Sequence, residues 1–256
     1  MYRIKSTILA VAVAVSGCAT TADDASDDAV EVAPALGSDT QAVVTPFIAG
    51  SLVIPMDTTF QNTGALRAYG LVYRLLASDV PVQWIASQTK GDQGIDFTIA
   101  AGSTVVNRET SAAITVPASY RGGPFVIAAA NRTAALPIID AWLAADSVTV
   151  VHDLTAGSFS ADVQRTLTAA PRIAVFQDGA EAIAFTDFNA AGIPDSTGAA
   201  WTSSSVDVLS EAELAGTATG GAADGVLTTG AQRYCHVTSM HYNGGTAART
   251  ARCRRG

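Results

Sequence analysis

Between residues 51 and 192 the chain repeatedly sets a short apolar run beside an amphipathic stretch of about a dozen residues. That alternation limits what it can fold into more than any other feature. Ser51 to Asp57 (SLVIPMD) is rich in branched residues and suits a strand buried on both faces. Asn62 to Ala77 then places Leu66, Tyr69, Val72, Tyr73 and Leu76 three and four residues apart, the spacing of a helix with one apolar face. Pro81 to Ala86 (PVQWIA) reads as the next strand and completes a β-α-β unit. A second alternation begins after the turn signal Gly122-Gly123-Pro124 with the strand FVIAAA. It continues through a helix over Ala134–Ala144, the strand Val148–His152, a helix over Ala161–Thr168 and the strand Arg172–Gln177. A helix over Ala180–Ala191 follows, closed by Gly192 with Pro194 beyond it as a stop.

Strands separated by helices of this length predict an α/β fold with three layers around a mostly parallel sheet. The stretch Gly91–Pro117 interrupts the pattern with DFTIA, STVVN and AAITV. These pieces are readable as strands of the same sheet, as a hairpin or as an insertion over its edge. From about residue 50 to residue 215 the succession of units is similar to flavodoxin-like sheets, including those of class I glutamine amidotransferase-like proteins. The amidotransferase signature, a nucleophilic cysteine in a strand-to-helix turn with a downstream His-x-Glu, is absent, so the resemblance implies a fold and no activity.

The N-terminus has the layout of a secretory signal: Arg3 and Lys5, an apolar run from Ile8 to Val15, then Ser16 and Gly17 before Cys18. The run is less than half the roughly 20 residues a spanning helix needs. Val15-Ser16-Gly17-Cys18 resembles a lipobox, the lipoprotein motif whose cysteine is acylated after cleavage of residues 1–17. The resemblance implies lipidation at Cys18, and several acyl chains on one residue give stable membrane attachment where one chain does not. With Ala19 rather than an aspartate after the cysteine, the enterobacterial sorting rule implies the outer membrane.

Residues 18–46 carry Asp23, Asp24, Asp27, Asp28, Glu31 and Asp39 and no basic residue, the composition of a solvated, self-repelling, disordered tether. Residues 47–242 are then expected to form the α/β domain. From 243 to 256 the chain is basic and shows no apolar period. It is either a disordered tail or the product of a shifted reading frame.

Hydrophobic residues make up 48% of the chain and charged ones 15%, a globular balance. The net charge of -8 and the lack of a basic patch in the body argue against nucleic acid, whose phosphates require one. With Cys18 assigned to lipid, Cys235 and Cys253 remain, either paired in an oxidising compartment or as separate thiols.

Ligands of open parallel sheets bind beyond the carboxyl ends of the strands. There the expected strands place Asp57 with Thr58, His152 with Asp153, and Asp178. Three carboxylates and an imidazole on one rim suit metal binding or acid–base work. The same residue types also cap helices and close turns by accepting from free backbone N–H groups. Cys235, His236 and His241 form a second candidate, a thiol beside imidazoles, although six residues separate Cys235 from His241 and no single helix or strand face holds both. No nucleotide-binding, metalloprotease, serine-elbow or EF-hand motif occurs, and no cofactor and no metal ligands are assigned from the sequence. The expectation is a membrane-anchored envelope lipoprotein whose domain binds an unidentified small molecule or protein without catalysis. The alternatives are a hydrolase-like enzyme built on the strand-end carboxylates, or a truncated fragment of a longer protein.

Overall fold

The computed structural model describes residues 42–214 and 234–240. Cys18, His241, Cys253, the signal and nearly all of the tether lie outside these residues. The described chain runs β1 (Val43–Ile48), β2 (Leu52–Ile54), α1 (Ala65–Ala77), β3 (Val82–Ile85), β4 (Phe97–Ile99), β5 (Thr104–Asn107), β6 (Ala113–Ile114), β7 (Ala118–Tyr120) and β8 (Phe125–Ile127). It continues through α2 (Arg132–Ala145), β9 (His152–Ala156), β10 (Ser158–Leu167), β11 (Ile173–Phe176), α3 (Glu181–Ala191), β12 (Val208–Leu209), α4 (Glu211–Leu214) and β13 (His236–Thr238). Val43–Pro46, read from sequence as tether, thus belong to β1.

The expected mostly parallel, flavodoxin-like sheet is not what forms. The main sheet has eight strands in the order β1-β10-β3-β8-β2-β9-β5-β6, and every pairing in it is antiparallel. The two β-α-β units are present, β2-α1-β3 and β8-α2-β9, and each has parallel outer strands. They interleave, however: β8 enters between β2 and β3, and β2 lies between β8 and β9. Two split units of this kind make the ferredoxin-like β-α-β-β-α-β topology. Among the described residues, parallel pairing survives only in a second, three-stranded sheet, β12-β11-β13, where α3 follows β11.

Two further expectations fail locally. Ala161–Thr168 is not a helix: it falls almost wholly within β10, where Phe159, Ala161 and Val163 turn inward at period two. Val148–Val151 form no strand, because the Gln61 side chain takes both backbone groups of Val150, its Nε2 donating to the carbonyl at 2.8 Å and its Oε1 accepting from the N–H at 2.9 Å. The ladder therefore starts at His152. Of the interrupting pieces, β5 and β6 extend the main sheet beyond β9, while β4 pairs with β7 as a separate ribbon.

Gly157 alone separates β9 from β10, yet β9 pairs with β2 and β5 while β10 pairs with β1 and β3. The ribbon bends there with Gly157 at φ 91°, a conformation that favours glycine, and carries β10 round to the far edge of β3. The sheet thereby curls around an interior of Phe47, Val53, Ile85, Val126, Leu154 and Phe159, closed by Phe97, Ile99 and Tyr120 of the β4–β7 ribbon. On the outer face Leu52, Ile54, Val82 and Ile127 pack against Leu71, Leu75 and Ile139 of α1 and α2. Each such side chain contributes about 1.5–3 kcal/mol when fully buried.

Candidate functional site

His152 and Asp153 are neighbours in β9, so their side chains leave opposite faces of the sheet. Both open the strand instead of closing one, which removes them from the carboxyl-end rim expected from sequence. His152 points into the curled interior, 1% exposed, with Nδ1 2.8 Å from the Tyr120 hydroxyl and the Phe60 ring edge-on at 4.7 Å. Burial drives the His152 pKa down to about 4, and the charge of Asp57 opposes this. Burial, and then the same Asp57 charge, pushes the Tyr120 phenol far above its ordinary range. With both groups neutral, the bond is donated either by the Tyr120 hydroxyl or by His152 Nδ1–H, and the tautomer follows from which one donates.

Asp57 lies beside this pair but is engaged elsewhere. Its Oδ1 accepts from the Thr59 N–H at 2.8 Å and its Oδ2 from the Arg121 N–H at 3.0 Å, which fixes the turn after β2 against the turn after β7. Thr58 is exposed between them. Asp153, 2% exposed, faces the helices and receives a two-pronged bond from Arg132 at the start of α2, at 2.8 and 2.6 Å. Arg108 stands 3.5 Å from the same carboxylate and makes its own two-pronged bond to Asp140.

Asp178 lies in the turn after β11, beyond the carboxyl end of that parallel strand, where it accepts from the Ala180 N–H and the Ser239 hydroxyl. The structure therefore brings Asp57 and His152 together and sends Asp153 and Asp178 elsewhere. Among the described residues no group of three or more His, Cys, Asp and Glu is placed to hold a metal ion. Cys235 is exposed, and the neighbouring His236 holds the Thr238 hydroxyl at 2.8 Å; burial lowers its pKa.

A different place offers open space. Between α1 and the small parallel sheet lies a cleft of ≈ 380 Å³ walled by Tyr73, Arg172, Trp201 and Tyr234, with Pro171 and Pro194 at its sides. Two buried carboxylates hold the loop behind it. Asp207 accepts from the N–H and hydroxyl of Ser196 and from the Tyr234 hydroxyl. Asp195 accepts from Thr197 and Ala199; burial alone would raise its pKa, but these bonds and one from Ser205 hold it low. Trp201 is pinned by Nε1–H donation to the Ile193 carbonyl at 3.0 Å, and the Arg172 guanidinium stands 6.0 Å from the centre of the Tyr234 ring.

The chain matches no protein-family model, no curated protein and no solved structure. What the cleft can do rests on its own chemistry. Arg172 has no acidic partner and the Tyr73 hydroxyl no hydrogen-bond partner among the described residues, so both are available to a guest. Sequence reasoning missed this site because its walls come from four distant parts of the chain and share no motif. The one local signal is Trp201, a large aromatic residue set in the polar stretch 195–207.

Proposed function

We propose that the chain is a lipid-anchored protein of the bacterial cell envelope, held at the outer membrane through Cys18, whose folded body is a non-catalytic binding module with its ligand site in the cleft beside Arg172. The anchor rests on the order of charge, apolar run, small residues and cysteine over Arg3–Cys18. The binding role rests on a contrast in how polar groups are used. Asp57, His152, Asp153 and Asp178 turn their polar atoms onto the protein itself, whereas Arg172 and Tyr73 line an opening with donors that the described fold does not employ. A concave, aromatic-lined site with a few placed polar groups is the usual form of a small-molecule pocket.

Chemical-shift mapping of the full chain in detergent against a fragment library tests the module. Shifts converging on Tyr73, Arg172, Trp201 and Tyr234 are expected. Shifts clustered on another surface would remove the cleft from the account.

A further inference from the structure

We infer that the cleft takes a small monocarboxylate carried on a single six-membered ring, either an aromatic acid or a sugar acid; this deepens the reading of the cleft as the ligand site and rests on it. Both unengaged groups can donate: the guanidinium only donates, and the phenol donates or accepts. A guanidinium presents a planar fork that matches a carboxylate, and a phenol adds a single O–H beside it.

Among the described residues, the rest of the wall offers no second cation. The Tyr73, Trp201 and Tyr234 rings with Pro171 and Pro194 suit the face of a ring, and the one further polar side chain of the lining, Ser196, donates its hydroxyl to Asp207. Tyr234 is held in place by its bond to Asp207, and Trp201 by its bond to Ile193, so two of the three aromatic walls are set before a guest arrives. The volume of ≈ 380 Å³ lies at the small end of ligand pockets, enough for one ring with its acid group.

Charge narrows the class further. Asp207 and Asp195 lie near enough to hinder ionisation of Tyr73, after burial and against the opposing charge of Arg74. Their bonds come from within the loop, and neither pairs with Arg172. A guest with one negative charge gains from Arg172 while feeling limited repulsion from these carboxylates. A dianion such as phosphate doubles the attraction to the arginine and the repulsion from the two carboxylates alike, and it brings no ring for the aromatic walls.

Titration calorimetry of the full chain in detergent, with benzoate, glucuronate, inorganic phosphate, benzamide and choline as probes, tests the class. Benzoate or glucuronate is expected to bind, and which of the two does so separates the aromatic source from the sugar source. Phosphate and the neutral benzamide are expected to bind at least about tenfold more weakly. Arg172→Gln should weaken the bound carboxylate by about tenfold or more, and Tyr73→Phe by a few-fold. Arg172 is exposed, so the melting temperature should be unchanged in Arg172→Gln, which separates lost recognition from lost folding. Binding of benzamide or choline in preference to the acids, with shifts at Trp201, would overturn the carboxylate class and leave the cleft as the site. No probe binding, together with a fragment map that avoids the cleft, would overturn both.

Discussion

Gly70 of α1 lies directly against the carbonyl oxygen of Ala191 at the end of α3: a Cβ at position 70 would stand 1.8 Å from that oxygen. The contact seats α3, and with it the small parallel sheet, on the helix that supplies Tyr73 to the cleft. Gly70→Ala would gain about 1 kcal/mol in helix propensity. The clash is with backbone on both sides, where relief requires the helices to separate, and overpacking of this kind costs about 1–3 kcal/mol. A net loss of stability is expected, read as a lower urea midpoint, together with weaker ligand binding as Tyr73 moves from the opposite wall.

His152 should make the fold acid-sensitive. Its folded pKa of about 4 lies below the ordinary 6.5, so the unfolded chain takes up the proton first. The stability this group contributes is present above pH 6.5 and is lost as pH falls from there to about 4. Two and a half units correspond to about 3 kcal/mol at most. Urea unfolding at pH 7 and pH 5 should show a lower midpoint at pH 5, and His152→Phe should flatten that difference. An equal pH response in the variant would locate the sensitivity in other groups.

Asp153 and Arg132 form the most enclosed ion pair on the helix side, with side chains 3% and 27% exposed. Because the arginine retains access to water and the carboxylate does not, the two single variants should differ. Arg132→Met leaves Asp153 buried with only Arg108 at 3.5 Å, and a loss of about 2–4 kcal/mol is expected. Asp153→Leu should cost less, and the double variant should recover part of the Arg132→Met loss. A double-mutant cycle on urea midpoints measures this coupling.

The bend that curls the sheet offers a further test. Gly157 and Gly179 both have φ 91°, but a Cβ at 157 would stand 2.3 Å from the Ser103 Oγ, whereas one at 179 meets nothing within 4 Å. Alanine at either position meets the backbone penalty of about 1–3 kcal/mol. Gly157→Ala should lower the melting temperature further, and the excess should shrink in the Gly157→Ala, Ser103→Gly double variant.

Much of the local structure was legible from period alone. The helix expected over Asn62–Ala77 forms as Ala65–Ala77, the one over Ala134–Ala144 as Arg132–Ala145, and the one over Ala180–Ala191 as Glu181–Ala191 with Gly192 left-handed as its cap. The order of the strands was not legible. LVI and FVI are buried on both sides, and short apolar runs read alike whether the sheet is parallel or a covered antiparallel one. Nothing in either run records that β8 enters between β2 and β3. In β10 the inward alternation of Phe159, Ala161 and Val163 is interrupted by a register shift between Val163 and Arg165, which hides the period of two. The site was less legible still. Asp57 and His152 do meet, but as supports of Tyr120 and a turn, while Arg172 and Tyr73 gave no signal because their role arises only from packing.

The most direct test of the account is metabolic labelling with radioactive palmitate in a bacterium that processes lipoproteins, comparing the chain with its Cys18→Ser variant in fractionated membranes. Label on the wild-type chain, its recovery in the outer-membrane fraction, and loss of both in Cys18→Ser are expected. An unlabelled wild-type chain, or equal membrane recovery of the two, would contradict the anchor at Cys18.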